Sequence, residues 1–185
     1  MIIGITGTIG AGKGTIVDYL VSKKNFLHFS VRDFLCEDIE RRGLPVNRDT
    51  MVEVANDLRT KHSPSYITDQ LLERAVKSGQ NGVIESIRAV GEIESLRNNP
   101  DFVLFAVDAD TRKRYERISL RKSATDHIDF DTFVSNEKRE MTTTDPTKQN
   151  LSECIKKADY VFTNDNDISG LHRAVEGVLN GVVTS

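Results

Sequence analysis

A three-layer α/β/α fold, with a parallel sheet covered by helices on both faces, is the architecture this sequence predicts. Three observations carry it. Short apolar runs alternate with amphipathic helical stretches from end to end, the pattern of strands joined by crossover helices. The first run, Met1-Ile2-Ile3-Gly4-Ile5-Thr6, leads straight into a glycine-rich loop and then a helical stretch. The length of 185 residues suits one substantial core, and no repeat, low-complexity tract or proline-rich linker divides it.

Residues 1 to 6 form the first strand. The following Gly7-Thr8-Ile9-Gly10-Ala11-Gly12-Lys13-Gly14-Thr15 has the Gly-x4-Gly-Lys spacing of a phosphate-cradling loop. Glycines there take backbone angles closed to other residues, so successive N–H groups converge on phosphate oxygens. Lys13 adds a point charge for the β- and γ-phosphates. A helix beginning near Lys13, with Ile16, Val17, Leu20 and Val21 turned inward, aims its positive end at the same anion. The strict pattern places Ser or Thr directly after the lysine. Here Gly14 intervenes, and Thr15 supplies the hydroxyl for a Mg²⁺-bound triphosphate, a departure that points toward a kinase branch of such loops.

The second strand is read at residues 26 to 29 and the third at 82 to 85. The ~50 residues between them are too many for a simple loop and must carry helices of their own. One starts at the cap Ser30, buries Val31, Phe34, Leu35 and Ile39, and stops before Gly43 and Pro45. A second spans about Arg48 to Lys61. A third opens at Ser63-Pro64, as cap and first-turn proline, and closes at Gly79. This helical insertion, residues 30 to 80, reads as an acceptor-binding arm. The fourth strand lies at 102 to 107 and the fifth at 159 to 163. Between the helix ending near Lys122 and the fifth strand, residues 123 to 150 form a second insertion, with Phe130, Phe133, Val134 and Met141 on an amphipathic stretch suited to a lid. Residues 167 to 180, with Ile168, Leu171, Ala174, Val175, Val178 and Leu179 at helical spacing, close the chain as a packing helix.

Several side chains fall where ligands bind in open α/β sheets, beyond the carboxyl ends of the strands. Asp33 follows the second strand and either orients an acceptor or serves the helix end within Ser30-Val31-Arg32-Asp33. Glu85 ends the third strand, a position suited to holding Mg²⁺ through water, and Asp108 at the end of the fourth competes for that role. Arg88 has the planar fork to clamp a phosphate, or it pairs with Glu92 one helical turn on. The stretch from Thr111 to Lys122 carries six basic residues against one acidic, with Arg114, Arg117 and Arg121 on one helix face. Such a run reads as a solvated face or as cations stabilising a charge-spread transition state. Lys138 and Arg139 in the expected lid read equally as closing charges or as plain surface.

Composition excludes other classes. A net charge of −3 with 29% charged residues gives no global basic excess for nucleic acid. No apolar stretch approaches the ~20 residues of a membrane span and no signal-peptide head precedes the first strand, so a cytoplasmic address is expected. Cys36 and Cys154 lack metal-ligand spacing and are expected as reduced thiols, and His28, His62, His127 and His172 form no cluster. A guanine-specific switch is disfavoured because no Asn-Lys-x-Asp segment occurs and Asp167-Ile168-Ser169-Gly170 reads as a helix start.

On Gly7-x-x-Gly10-Ala11-Gly12-Lys13-Gly14-Thr15, Ser30-Val31-Arg32-Asp33-Phe34-Leu35, Gly82-Val83-Ile84-Glu85-Ser86-Ile87-Arg88 and Arg117-Ile118-Ser119-Leu120-Arg121, the chain resembles the nucleoside monophosphate kinase group of P-loop kinases, adenylate kinase among them. The resemblance implies a five-stranded parallel sheet of order 2-3-1-4-5 and ATP- and Mg²⁺-dependent phosphoryl transfer to a small nucleotide-like acceptor, foremost a ribo- or deoxynucleoside monophosphate. It implies that Gly10, Ala11, Gly12, Lys13 and Gly14 hold the ATP phosphates and that Thr15 holds the Mg²⁺. Arg88 would take the acceptor phosphate, Arg117 lie against the adenine and Arg121 reach the phosphates. Adenylate kinases carry Thr-Gly before the Asp33 position and an arginine three residues after it. This chain has Val31, Arg32 and Cys36, and its Glu85 segment is one residue shorter. In these respects it looks closer to P-loop kinases related to dephospho-CoA kinase and deoxynucleoside monophosphate kinases. Dephospho-CoA kinase activity and a non-catalytic ATP-binding role are the alternatives.

Overall fold

The computed structural model describes residues 1–121, 128–145 and 148–182. It places the N-terminal apolar run, β1 (Ile2–Gly7), at the centre of a parallel sheet, where all six residues are buried. The chain continues through α1 (Lys13–Lys24), β2 (Leu27–Ser30), α2 (Val31–Arg41), α3 (Arg48–Lys61), α4 (Tyr66–Ser78), β3 (Gly82–Glu85), α5 (Val90–Leu96), β4 (Phe102–Asp108), α6 (Thr111–Leu120), α7 (Phe130–Met141), α8 (Leu151–Lys156), β5 (Tyr160–Thr163) and α9 (Ile168–Val182). The strand order is β2-β3-β1-β4-β5, all pairs parallel, with Ile2 facing Gly82 on one side and Phe102 on the other. Order and sense match the expectation. Because every strand points the same way, the loops after β1, β2, β3 and β4 all emerge at one edge, where the motif residues gather.

Two apolar clusters cover the sheet faces. On one face Ile16, Val17 and Leu20 of α1 and Leu171, Val175 and Leu179 of α9 pack on Ile3, Ile5 and Phe105. On the other, the arm helices and α8 pack around Ile2, Ile84 and Leu104. Val21, Ile168 and Ala174, expected on buried stripes, are exposed, since each stripe is complete without them. The arm's third helix begins at Tyr66 and not at Pro64. Ser63 to Tyr66 is a turn closed by the Tyr66 N–H donating to the Ser63 carbonyl at 3.1 Å, with Pro64 at its favoured second position. The sequence pattern singled out neither α5 nor α8, both short, although α8 buries Leu151 and Cys154. The second insertion contains α7, and its residues 123–127 and 146–147 lie outside the described residues.

One buried ion pair ties the arm to the sheet. Glu92 of α5 is fully buried and accepts from Arg59 Nε at 3.1 Å and NH2 at 2.7 Å. Its other oxygen accepts the backbone N–H groups of Arg88 and Ala89 at 2.8 and 3.0 Å. The alternative reading, an Arg88–Glu92 side-chain pair, is not what forms: burial gives the Glu92 carboxylate to Arg59 and leaves the Arg88 guanidinium for another partner. Glu92→Ala strands a buried guanidinium and two amide donors, which costs about 3–5 kcal/mol. Thermal denaturation should show a melting temperature lower by roughly 10 °C. Lys157→Ala, at the exposed Lys157–Glu94 pair, should leave it nearly unchanged.

Candidate active site

The loop between β1 and α1 holds Gly7, Gly10 and Gly12 at φ of 135°, 78° and 114°. A Cβ at Gly7 would stand 2.0 Å from the Val107 carbonyl oxygen, and one at Gly10 would stand 2.5 Å from that of Arg114. Glycine is thus required by both conformation and contact. Polar ties fix the loop from its β4, α6 and β5 side. Thr8 Oγ1 donates to Asp108 at 2.6 Å, and Asn164 Nδ2 donates to the Ala11 carbonyl at 2.7 Å. Arg114, buried, donates to the Ala109 carbonyl at 2.7 Å and pairs with Glu137 of α7 at 2.6 Å. The N-terminus of α1 has neither a side-chain cap nor an acidic residue in its first turn, which leaves its amide donors and positive end for an anion.

Lys13 folds back over this loop, its Nζ donating to the carbonyls of Gly7 and Thr8 at 2.9 Å each. Burial, and then the nearby Arg88 guanidinium, push its pKa down to about 7, against the opposing fields of Glu85 and Glu140. Glu85 lies below the usual carboxylate range. Burial pushes it up, but a bond to His28 at 3.2 Å and the Lys13 charge more than offset that. His28 is raised in turn by its bond to Glu85, with Asp33 and Asp18 adding to the field.

Lys13 and Glu85 border one cavity of about 610 Å³. Gly10, Gly12, Lys13, Gly14 and Thr15 line it at the loop, Glu85 and Arg88 at the end of β3, and Arg121 just past α6. Val31, Leu35, Met51, Val52 and Ala55 supply an apolar wall from the arm. Other expected residues stand elsewhere. Ala11 is buried behind the loop, and Asp108 braces Thr8, whereas Glu85 faces the cavity. Asp33 is exposed on the first turn of α2, where its own N–H donates to Ser30 Oγ at 3.1 Å; Arg32 beside it lines the cavity. Arg117 donates to the Asn164 carbonyl at 2.8 Å. The shared basic face is divided: Arg114 is a buried brace, and Arg121 is exposed at the cavity.

The cavity also holds groups that the sequence pattern did not single out. Glu140 of α7 pairs with Arg88 at 2.8 Å and with Arg48 of α3. Burial pushes its pKa up, yet the two guanidiniums bring it below the usual range. The neighbouring Lys138 and Arg139 are exposed, so the last turns of α7 hold Glu137 and Glu140 inward and these cations outward. Ser86, also in the lining, has φ 71°, the left-handed region that favours glycine. One sequence signal was available for Arg59: it falls four residues after Ala55, on the apolar face of α3. Glu140 gave none, because its partners are 92 and 52 residues away.

Residues 3–145 match a protein-family model described as an AAA domain. The chain belongs to this family. The AAA-domain match covers the loop, the arm and α7. Among curated relatives, a UPF0200 protein of Methanococcus vannielii is 26% identical over 185 residues, spanning 98% of this chain and 96% of its own. One from Thermococcus sibiricus is 27% identical over 182 residues, spanning 95% and 92%. Among solved structures, TT1252 from Thermus thermophilus superposes with a TM-score of 0.67 at 20% identity, covering 98% of this chain and 97% of that one. Shikimate kinase from Bacteroides thetaiotaomicron gives 0.62 at 16%, covering 97% and 98%. The fold is that of the P-loop kinase group, with the 2-3-1-4-5 sheet. Among the described residues no helix is long and apolar enough to cross a membrane.

The low Lys13 pKa has a measurable consequence. Above about pH 7 the empty loop holds Lys13 largely neutral, and a polyphosphate beside it restores the charged form. Well inside the window between about pH 7 and the ordinary lysine value of 10.5, binding a nucleoside triphosphate therefore takes up close to one proton, falling to about half at either end. Calorimetry at pH 8 in buffers of different ionisation enthalpy should register this uptake, and Lys13→Met should abolish it.

Proposed function

We propose that the protein is an ATP- and Mg²⁺-dependent kinase that transfers the γ-phosphoryl group to the phosphate of a small nucleotide-like acceptor, foremost a nucleoside monophosphate. The observation that carries the reading is the single cavity bordered by both the phosphate loop and the apolar wall of the arm, with Glu85 and Arg88 also in its lining. A pure ATP-binding fold has no need of that second half.

In this reading the loop amides, Lys13 and the end of α1 hold the triphosphate, and Arg121 approaches it from α6. Thr15 and Asp18, three residues apart on α1, and the ionised Glu85 all line the cavity and offer the oxygen donors a hard cation takes. Among the described residues no group of three His, Cys, Asp or Glu could hold a metal ion. That fits Mg²⁺, which keeps waters and phosphate oxygens in its shell; when bound, it neutralises the charge on the transferring phosphoryl group. The acceptor phosphate is anionic at neutral pH, so no side chain has to remove a proton from it. The work left to the protein is alignment and charge stabilisation.

Arg88 and Arg48 are the cations for the acceptor phosphate, and Glu140 holds both in its absence. Two guanidiniums around one carboxylate form a site that a phosphate dianion enters by exchange, since Glu140 is only 13% exposed but sits on a helix outside the sheet. The exchange keeps the arginines oriented before the acceptor arrives. Arg117, bonded to Asn164 beside the loop, remains the residue for the adenine of ATP, and Asp33 acts on its helix end and on His28.

ADP formation from MgATP across ribo- and deoxynucleoside monophosphates and dephospho-CoA tests the reading. One acceptor should stimulate turnover strongly, and Lys13→Ala should lower kcat by about 10²–10³-fold. Flat response despite tight ATP binding would replace the kinase with a binding-only protein. Glu140→Gln removes the charge that the acceptor phosphate displaces. The KM for the acceptor should fall by about tenfold, equivalent to ~1.4 kcal/mol, with the KM for ATP little changed; a rise in acceptor KM would count against the exchange.

A further inference from the structure

Arg59 is 2% exposed and lines the cavity, yet the described structure gives its NH1 no hydrogen-bond partner. The other two nitrogens of the fork are engaged, Nε and NH2 both donating to Glu92 Oε1. Leaving a buried N–H donor unmade is costly, and such an atom on a side chain that lines a cavity points to a missing partner. Glu92 fixes where that partner must lie. Its second oxygen takes the backbone N–H groups of Arg88 and Ala89, so the Arg59 fork is locked against the segment that carries the acceptor-phosphate cation.

Charge decides the chemistry of the partner. Glu92 already neutralises Arg59, and a second anion at NH1 would face the same buried carboxylate. The open position therefore suits a neutral acceptor atom, such as a carbonyl oxygen. Ala55 stands one helical turn before Arg59 on α3, and with Val31, Leu35, Met51 and Val52 it makes a wall suited to a flat ring.

We propose that Arg59 reads the base of the acceptor, with NH1 donating to a ring carbonyl of a keto-bearing nucleobase seated on this apolar wall. The inference rests on the kinase reading for its phosphate end and adds the substrate class: monophosphates of keto bases over AMP. The adenine 6-amino group is itself a donor, so turned toward NH1 it leaves two donors facing each other. A site built to hydrogen-bond one substrate group discriminates strongly against an analogue that lacks it.

IMP and AMP differ at position 6, carbonyl against amino, and make the cleanest pair. Calorimetric titration of wild-type protein, with saturating Mg²⁺ and a non-hydrolysable ATP analogue, would use IMP, GMP, CMP, UMP, AMP and ribose 5-phosphate. At least one keto-base monophosphate should bind about tenfold or more tightly than AMP and ribose 5-phosphate, with IMP ahead of AMP. Arg59→Lys keeps a cation for Glu92 and loses the fork; it should shrink that gap to about threefold or less without weakening the ATP analogue. A melting curve shows whether the variant is folded, and the wild-type comparison stands without it. AMP or ribose 5-phosphate binding as well as every keto compound, no binding by any of them, or a gap that survives Arg59→Lys would each overturn the proposal. The last results would mean that NH1 is satisfied by a trapped water. ADP formation assayed on the same compounds separates the two readings. Turnover without base preference removes the Arg59 proposal and keeps the kinase, while base preference without turnover does the reverse.

Discussion

A chain that presents converging amides to an anion has to leave the ordinary backbone regions, and here it does so at Gly7, Gly10 and Gly12 within six residues. The rest of the nucleotide half is built against that constraint. The Val107 and Arg114 carbonyls and the Asn164 amide occupy the space that side chains at these glycines would need. They belong to β4, α6 and the segment after β5, so the loop and the far side of the sheet can only fit together as one unit. Thr8, Asp108, Arg114 and Asn164 then hold the loop in place, Arg114 through the Ile9 carbonyl, which leaves its amide donors free for an anion.

The arm side of the cavity is organised by two carboxylates of different character. Glu92 has no exposed surface and four donors, so it behaves as a permanent joint between α3 and the segment after β3. Glu140 is partly exposed, comes from α7, and bridges Arg48 and Arg88 across the cavity. Breaking the first strands buried charge; exchanging the second for a ligand phosphate replaces one anion with another. A second carboxylate of α7, Glu137, reaches Arg114 three residues earlier, so this helix touches both the loop brace and the Arg48–Arg88 pair.

Charge at the centre of the cavity is balanced before any ligand is present. Lys13 is held near its titration point by burial and by Arg88, while Glu85 stays ionised through His28 and Lys13. Low local dielectric makes each of these adjustments larger than it would be in water.

The sequence by itself determined the parallel sheet and its five strands, the phosphate loop and the arm, because each is written in local pattern: apolar runs, glycine spacing, caps and helical periodicity. The placing of Glu85, Arg88 and Lys13 at the edge beyond the strand ends was legible for the same reason, Glu85 closing β3, Arg88 just after it and Lys13 opening the helix after the glycine-rich loop. Tertiary structure alone decided which cations border the cavity and which are buried as braces of the fold. Arg114 and Arg121 look alike on one basic stretch, yet one is buried against Glu137 and the other borders the cavity. Arg59, Glu92, Arg48 and Glu140 acquire their roles from partners tens of residues away, and no local pattern encodes such pairings. A charge's part is set by what desolvates and neutralises it, and that is known only once distant segments are packed together.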